Sequence, residues 1–333
     1  MTRAARWLLC AVAFCAVTQP AIAYLKLGAR SSTGGTVTLS WAAFPIRYFV
    51  VNRAVDGVSA AQLEQAVTRG FAAWAAAPLT TLSSQFAGFT AATPSLGDGV
   101  STIGFVARPD LERVLGSTSF LIDTRNGEIS ESDIFLNTNF PWSVAPAGAA
   151  DRFDVESIAL HEIGHLLGLG HSALGETELR PGGRRVLGAE AVMFPIAFSQ
   201  GSIEGRTLKA DDLAGIADTY GNAEFRRERG SISGTVTKSG RGVLGAHVIA
   251  FNTRTQKLVA GFTLSEDGRF VIAGLEAGPY LLRVEPLDDG DIESFFDATL
   301  EIDTDFQVKF HDRIIAVPKG GGISNVRISV VAK

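Results

Sequence analysis

Three histidines and one glutamate lie close together near the middle of the chain. His161 and His165 are four positions apart, Glu162 directly follows the first of them, and His171 comes shortly after. On a helix, the first two histidines project from one face toward a shared point. Three neutral imidazoles leave one position of a tetrahedral zinc ion open, as in catalytic rather than structural sites. The pattern therefore predicts one zinc ion, with His161, His165 and His171 as its ligands.

Glu162 supplies this predicted site with a catalytic group. Zinc lowers the pKa of a bound water to about 7 and polarises a carbonyl, and a neighbouring carboxylate can take the water's proton and pass it to a leaving amine. We therefore expect amide hydrolysis with Glu162 as the general base, and no cofactor-binding residues beyond the zinc ligands. The alternative is a buried helix that merely contains histidines. H-E-x-x-H alone leaves that alternative open, whereas chance rarely assembles the whole pattern from His161 to His171.

Local patterns place this motif on a helix within an α/β or α+β domain. Asp154 is a candidate N-cap for a helix that runs to Gly168, where a left-handed residue can turn the chain back. An amphipathic helix begins upstream at the capping box formed by Ser59 and Gln62. Four further segments complete the prediction: a buried strand (41–52), a Gly-, Ser- and Thr-rich loop (86–104), a strand (129–137) and a helix (210–220).

The segment from His161 to Ser172 resembles the extended zinc signature of the metzincins, specifically the matrixin branch. Three more segments resemble parts of that family: 129–137 the strand at the upper rim of the cleft, 192–195 the Met-turn, and 208–216 the last catalytic helix. In the Met-turn, Met193 would lie beneath the zinc without binding it. The resemblance covers roughly residues 41–221. It implies a zinc metalloendopeptidase with an α+β metzincin catalytic domain, a twisted mixed sheet with an active-site helix.

The chain also departs from the family pattern. Residues 179–185 predict an exposed loop that lengthens the interval before the Met-turn, so no substrate preference can be transferred. His247 and His311 are the other two histidines, and we interpret both as ordinary residues rather than ligands of a second zinc. The family often binds structural calcium, but no acidic segment has the spacing that would place Ca²⁺ here. Asp211 and Asp212 fit structural acids in the first turn of a helix.

The first 23 residues predict a secretory signal peptide. A basic start, a short apolar stretch and small residues fit cleavage after Ala23. Both cysteines, Cys10 and Cys15, lie in this segment, so the mature chain has no thiol for a disulfide or a cysteine switch. Lipidation at Cys15 is an alternative that the preceding bulky Phe14 disfavours. The apolar stretch is too short to span a bilayer, so we expect a secreted, extracellular protein without a membrane span.

The composition argues against nucleic acid as a partner. Removing Arg3 and Arg6 from the 30 basic residues leaves 28 against 35 acidic ones, a net charge near −7 without a basic stripe. The hydrophobic content of 46% is sufficient for two domains with cores. The expected partner is therefore a protein or peptide substrate.

The texture of the sequence changes after a charged linker at residues 223–230. Residues 231–333 contain short alternating runs separated by Asp-Gly and Gly-Pro turns, which are typical of an all-β sandwich. The stretch up to about residue 286 resembles the carboxypeptidase regulatory-like, transthyretin-like β-sandwich, which implies no chemistry of its own. We expect a spacer, or a module that docks to extracellular polymer or the cell surface. Residues 231–333 also contain an acidic segment, which is either a cation site or, more simply, a solvated loop. Its members are Asp288, Asp289, Asp291 and Glu293.

The sequence thus predicts a signal peptide (1–23), a matrixin-like zinc metalloprotease catalytic domain (24–222), a linker (223–230) and a β-sandwich (231–333). The leading hypothesis is a secreted zinc-dependent metalloendopeptidase. One alternative is a non-catalytic secreted zinc-containing binding protein, against which Glu162 argues because a structural site needs no base. Another is an enzyme that cleaves only one dedicated partner or its own linker.

Overall fold

A computed structural model of the chain describes residues 25–32, 34–181, 183–287 and 292–333. The predicted signal peptide, with Cys10 and Cys15, lies outside the described residues. So do Asp288, Asp289 and Asp291 of the acidic segment. No helix in the described part of the chain is both long and apolar enough to cross a membrane.

The described residues before position 230 combine helices with short and medium-length strands. The helices are α1 (Ala60–Ala75), α2 (Val155–Leu166), α3 (Ala210–Tyr220) and α4 (Phe225–Glu228), with a 3₁₀ turn at Glu204–Arg206. The strands are β1 (Gly28–Arg30), β2 (Thr36–Thr38), β3 (Ile46–Val51), β4 (Ser84–Thr90), β5 (Ser101–Val106), β6 (Gly116–Asp123), β7 (Glu128–Asn137), β8 (Trp142–Ser143), β9 (Phe153–Asp154), β10 (Gly175–Arg180) and β11 (Gly183–Ala189).

A five-stranded mixed sheet, in the order β4-β3-β5-β7-β6, supports this part of the chain. Neighbouring strands are parallel except β6, which is antiparallel to β7. Among the described strands, β6 pairs only with β7. The second edge of β6 is therefore not used by the sheet, and residues of β6 line a deep cleft.

Helices α1 and α2 pack closely against each other. The capping box of α1 is confirmed, because the Ser59 and Gln62 side chains each accept a hydrogen bond from the backbone N–H of the other residue. Trp74 of α1 donates its Nε1–H to the carbonyl of Leu160 in α2 at 2.9 Å. A Cβ at Gly70 would stand 2.7 Å from Cδ1 of Ile163, so the missing side chain permits this close approach.

Several predicted elements are confirmed and others are wrong. The helices at 60–75, 155–166 and 210–220 and the strand at 128–137 are present. The predicted loop at 86–104 is wrong at both ends, which belong to β4 and β5. Glycine is needed at position 104 of β5 because the backbone there lies directly against Val51, and any side chain would overlap it. The buried strand predicted at 41–52 is shorter and begins at residue 46.

Two further expectations about the cleft are corrected. Of residues 179–185, those up to 180 and those from 183 onward lie in strands rather than in a loop, because β10 and β11 pair as an antiparallel hairpin. The strand resembling the upper rim, β7, is not at the rim either. It lies between β5 and β6, and the strand that lines the cleft is β6.

The chain from residue 230 onward is rich in β-strands. They are β12 (Gly230–Lys238), β13 (Arg241–Gly242), β14 (His247–Asn252), β15 (Leu258–Phe262), β16 (Arg269–Leu275), β17 (Gly278–Glu285), β18 (Lys309–Phe310), β19 (Ile315–Val317) and β20 (Gly322–Val330), with a 3₁₀ turn at Ile292–Ser294. One sheet contains β13, β12, β16 and β20, and the other contains β15, β14, β17, β18 and β19. The last strand, β20, runs parallel to β12.

The two parts of the chain share a continuous hydrophobic core. Helix α3 contacts strands β15 and β16. Gly274 of β16, at φ +70°, lies against Ala214 of α3, where a Cβ would come within 3.0 Å of the backbone. The strands after residue 230 are therefore packed directly onto the helix that follows the Met-turn.

Candidate metal centre

Helix α2 carries two of the three clustered histidines and is fixed at both ends. The Asp154 carboxylate accepts the Ser157 N–H at 2.9 Å, which confirms the predicted N-cap. At the other end, Trp41 Nε1 donates to Leu166 O at 2.9 Å and the Tyr220 hydroxyl donates to Leu167 O at 2.8 Å. These donors satisfy carbonyls that a helix end leaves without intrahelical partners.

Gly168 turns the chain back toward the helix. Its φ of +88° lies in the left-handed region, and a Cβ would overlap the carbonyl of Leu39. Its N–H donates to His165 O at 2.6 Å, as a left-handed residue after a helix commonly does. This turn directs the following residues back along α2 and brings His171 beside the other two histidines.

The structure brings His161, His165 and His171 together. One ring nitrogen from each lies within 4.8 Å of the others, and Nε2 of His165 is 3.1 Å from Nε2 of His171. Among the residues that the structure describes, this is the one group of three or more His, Cys, Asp or Glu side chains that converges in this way.

A backbone carbonyl orients each of the three rings. Nδ1 of His161 lies 2.8 Å from Val192 O, Nδ1 of His165 lies 2.8 Å from Leu169 O, and Nδ1 of His171 lies 2.7 Å from Ser294 O. A carbonyl oxygen can only accept, so each Nδ1 must carry the proton. Each neutral ring therefore presents an unprotonated Nε2 to the centre of the cluster, the tautomer that a metal ligand needs.

The electrostatics of the cluster favour a metal ion over bound protons. Burial lowers the pKa of all three imidazoles, and the neighbouring histidines lower the pKa of His165 and His171 further. The pKa of His171 falls to about 3, and that of His165 lies well below its usual value. Three neutral imidazoles whose Nε2 atoms converge are suited to a cation, and the donor set fits zinc.

Glu162 faces the same space from α2. Its side chain is buried, and the Thr118 hydroxyl of β6 donates to Glu162 Oε2 at 2.7 Å. Burial raises the pKa of Glu162 to about 7, and the hydrogen bond from Thr118 opposes this rise. A carboxyl group with a pKa near neutrality can both accept and release a proton, which is what a general base that later acts as an acid needs.

Met193 packs against α2 at Gly164, which lies between the first two histidines in the sequence. Met193 is 2% exposed, and a Cβ added at Gly164 would stand 2.8 Å from Cζ2 of Trp74 and closer still to Met193 Sδ. Trp74 and Met193 therefore leave no room for a larger side chain at Gly164. The Met193 side chain fills the space that the absent side chain of Gly164 leaves.

Replacing Gly164 with alanine tests this packing. We expect Gly164→Ala to lower the free energy of unfolding by about 1–3 kcal/mol, the usual cost of overfilling a packed interior, and to weaken metal binding because α2 must shift. Gly188→Ala is the matched control, because nothing lies within 4 Å of a Cβ at that position. Urea unfolding of both variants measures the difference, and equal stability for Gly164→Ala and wild type would contradict it.

Two buried aspartates at the start of α3 hold the backbone around the cluster. Oxygens of Asp212 accept the N–H groups of Val192 at 2.8 Å and Met193 at 3.2 Å. Asp211 accepts the hydroxyl of Ser172 at 2.7 Å. The sequence predicts a structural role for both aspartates at a helix end, but it does not predict these contacts. Nothing in their residue types or spacing identifies partners so far away in the chain.

We expect Asp212→Ala to destabilise the protein by several kcal/mol. The substitution leaves the N–H groups of Val192, Met193 and Lys209 without their acceptor, and each buried unpaired group costs about 1–3 kcal/mol. Glu112→Ala, at an exposed position, should change stability by no more than about 0.5 kcal/mol. Denaturant unfolding compares the two, and a loss for Asp212→Ala no larger than for the control would contradict the expectation.

The cluster opens into a cleft of about 1160 Å³. Strand β6, helix α2 and the hairpin β10–β11 contribute to its walls, together with Phe194–Ser199 after Met193. Residues from beyond position 230 also line it, namely Leu244, Leu264, Ser294, Phe295, Phe296 and Leu300. This cleft volume lies above the roughly 300–1,000 Å³ of pockets that bind small molecules.

The two remaining histidines lie outside the cluster. His247 is 2% exposed, its Nδ1 lies 3.1 Å from Glu285 Oε1, and its ring stacks on Phe262. His311 makes contacts with its local backbone, through Nδ1 and Arg313 O at 2.9 Å. Neither residue belongs to a converging set of metal-binding groups.

Comparison with known proteins adds two family matches. A sequence profile described as Matrixin matches residues 40–221, more than half of the chain. A second profile, described as Carboxypeptidase regulatory-like domain, matches residues 231–288.

Individual relatives match over shorter stretches. Metalloendoproteinase 1 of Glycine max is 42% identical over 82 residues, 23% of this chain and 20% of its own length. From Arabidopsis thaliana, Metalloendoproteinase 5-MMP is 44% identical over 68 residues (20% of this chain, 14% of its own) and Metalloendoproteinase 1-MMP is 34% identical over 115 residues (32% and 25%). The chain thus spans a quarter or less of the length of these curated relatives.

Proposed function

Since this chain belongs to the matrixin family, we propose that it is a zinc-dependent endopeptidase that hydrolyses internal peptide bonds of proteins. The observation that carries the proposal is the set of three carbonyl-oriented histidines beside a buried glutamate. These relatives are all named metalloendoproteinases, which points to the same activity.

In this proposal, His161, His165 and His171 are the zinc ligands and Met193 is the residue beneath them. When bound, the zinc ion supplies Lewis acidity for the scissile carbonyl and lowers the pKa of the attacking water. Nδ1–H bonds to Val192, Leu169 and Ser294 orient the three rings so that their Nε2 atoms face the proposed metal position. One zinc ion is the cofactor, and no calcium ion is part of the proposal.

Glu162 acts as the general base. It takes a proton from the water that attacks the peptide carbonyl and later delivers it to the departing amine. The Thr118 hydroxyl holds one carboxylate oxygen at 2.7 Å, which limits the rotation of the side chain and leaves the other oxygen for the proton. The Cβ of any residue at Gly116 would stand 3.0 Å from Glu162 Oε1, so the small residue there preserves access to that oxygen.

The substrate pairs with the edge of the sheet as an extended strand. Strand β6 lines the cleft, and its second edge is unpaired among the described strands. An extended peptide can add to such an edge through main-chain hydrogen bonds, which are independent of side-chain identity. This mode of binding suits an endopeptidase because it fixes the scissile bond without needing a chain terminus.

We also propose the organisation predicted from the sequence. Residues 1–23 are a signal peptide and the mature protein is secreted to the extracellular space. The catalytic domain spans 24–222, the linker 223–230 and the second domain 231–333. The two sheets of strands after residue 230 support a transthyretin-like sandwich, with extracellular polymer or a cell surface as the proposed partner.

A non-catalytic zinc-binding protein is the alternative. The buried Glu162 and the open cleft above it favour the enzyme, because a purely structural zinc site fills its fourth position with protein. An enzyme restricted to one partner would use the same residues and differ only in substrate.

Metal removal tests the proposed activity. We expect the mature protein to degrade unfolded casein, to lose this activity when dialysed against a zinc chelator, and to regain it with one equivalent of Zn²⁺ but not with Mg²⁺, whose preferred ligands are oxygens. Retained cleavage by the metal-free protein would overturn the proposal.

A further inference from the structure

The third histidine is held by a part of the chain that lies outside the matrixin match. Val192 and Leu169, whose carbonyls orient His161 and His165, both fall within residues 40–221. The carbonyl that orients His171 belongs to Ser294, at 2.7 Å from Nδ1. We propose that the C-terminal part of the chain is a component of the metal centre, with the segment Ile292–Phe296 as the positioning element for His171.

The Ser294 carbonyl is held rigidly by its neighbours. The N–H groups of Phe295 and Phe296 both donate to Ile292 O at 2.9 Å, which closes the turn around Ser294. Both phenylalanine side chains are 2% exposed. Their ring centroids lie 5.7 and 5.2 Å from that of Phe262 in β15. Phe295 and Phe296 therefore form a buried aromatic anchor that holds the Ser294 carbonyl in place.

The anchor also touches the metal-binding residue itself. The Phe295 ring meets the His171 ring edge-on, with 6.4 Å between centroids. Leu25, Ala173 and Leu264 complete the same buried cluster. Residues from the start of the described chain, from the loop after His171 and from the C-terminal strands thus pack together at one side of the centre.

A second connection links the same two regions through α3. Oδ2 of Asp211 accepts the hydroxyl of Ser172, the residue after His171, at 2.7 Å. Oδ1 accepts the N–H of Ala260 in β15 at 2.8 Å. One buried carboxylate therefore ties the His171 loop to the strand on which the phenylalanine anchor rests. The C-terminal part is therefore linked to the His171 loop in two separate ways, through the Ser294 carbonyl and through the Asp211 carboxylate.

Loss of these contacts should first of all weaken metal binding, and catalysis would be affected only through it. Loss of the partner that orients a metal-binding histidine commonly weakens metal binding by about 10–100-fold. This inference rests on the proposed role of His171 as a zinc ligand. It adds that the chain after residue 230 is not a detachable spacer, since its 3₁₀ turn at Ile292–Ser294 supplies one of the three carbonyls that hold the ligands.

The test compares three full-length variants by zinc affinity, measured in competition with a chromophoric chelator, and by the visible spectrum of the Co²⁺-substituted protein. Phe295→Ala removes the anchor, and we expect zinc binding about 10–100-fold weaker with an altered Co²⁺ spectrum. Ser294→Ala keeps the backbone carbonyl and should bind zinc like the wild type. Phe306→Leu perturbs a fully buried core residue of the C-terminal part away from the anchor, and should lower stability without changing zinc affinity.

Two results would overturn the inference. One is wild-type zinc affinity in Phe295→Ala, and the other is an equal loss in Phe306→Leu, which would make the effect one of general stability. If Phe295→Ala does not fold, Phe295→Leu gives the same comparison with a smaller expected loss. A wild type that binds zinc yet cleaves nothing would refute the proposed function while leaving these affinities to decide the inference.

Discussion

Replacing Glu162 with alanine should reduce kcat/KM for a peptide substrate by about 10²–10⁴-fold, the usual contribution of a general acid–base group. The carboxylate is buried beside the histidines and held by Thr118, and burial raises its pKa to about 7. Steady-state hydrolysis of a fluorogenic peptide measures the loss.

Metal analysis of the same variant separates catalysis from binding. Glu162 is not among the converging ligand atoms, so Glu162→Ala and the near-isosteric Glu162→Gln should each retain one zinc ion per chain. A variant that loses zinc together with activity would show a structural rather than a catalytic role. Activity close to that of the wild type in Glu162→Gln would contradict the assignment of the base.

Replacing His165 with alanine should abolish the stabilisation of the fold by zinc. A ligand that binds only the folded state raises the free energy of unfolding by about 2.7 kcal/mol when its concentration is 100 times its Kd. His165 lies at the centre of the cluster, 3.1 Å from His171 Nε2. Its loss leaves two ligands, and affinity should fall by more than the roughly 10–100-fold that an outer partner contributes.

Thermal unfolding with and without added zinc measures this effect. The wild type should unfold at a higher temperature in the presence of zinc, and His165→Ala should show little response. His311→Ala is the control, because that residue lies outside the cluster and its ring contacts the backbone of Arg313. A full zinc response in His165→Ala would show that zinc binds elsewhere.

The proximity of the histidines could be predicted because it depends on local structure. The spacing of His161 and His165 on a helix, the Asp154 cap and the left-handed Gly168 all act within one segment. Residue types identify such features directly, since only certain residues cap helices or adopt positive φ. The catalytic role expected for Glu162 is equally local in origin, because this residue directly follows the first histidine.

The supports of the cluster could not be predicted in the same way. Val192, Leu169 and Ser294 contribute backbone carbonyls, which every residue carries and which therefore leave no signal in the sequence. Thr118 is one of many threonines, and its contact with Glu162 depends on where β6 lies in the sheet. The wrong prediction of β7 rather than β6 as the strand that lines the cleft has the same cause, because strand order is set by long-range pairing.

Identification of the bonds cut tests the central claim most directly. Unfolded casein would be incubated with the zinc-loaded wild type and with zinc-loaded Glu162→Gln, and the products sequenced by mass spectrometry. We expect many internal cleavage sites with the wild type and almost none with the variant. Products trimmed only from chain ends, or the same internal sites in both samples, would contradict a zinc-dependent endopeptidase that uses Glu162 as its base.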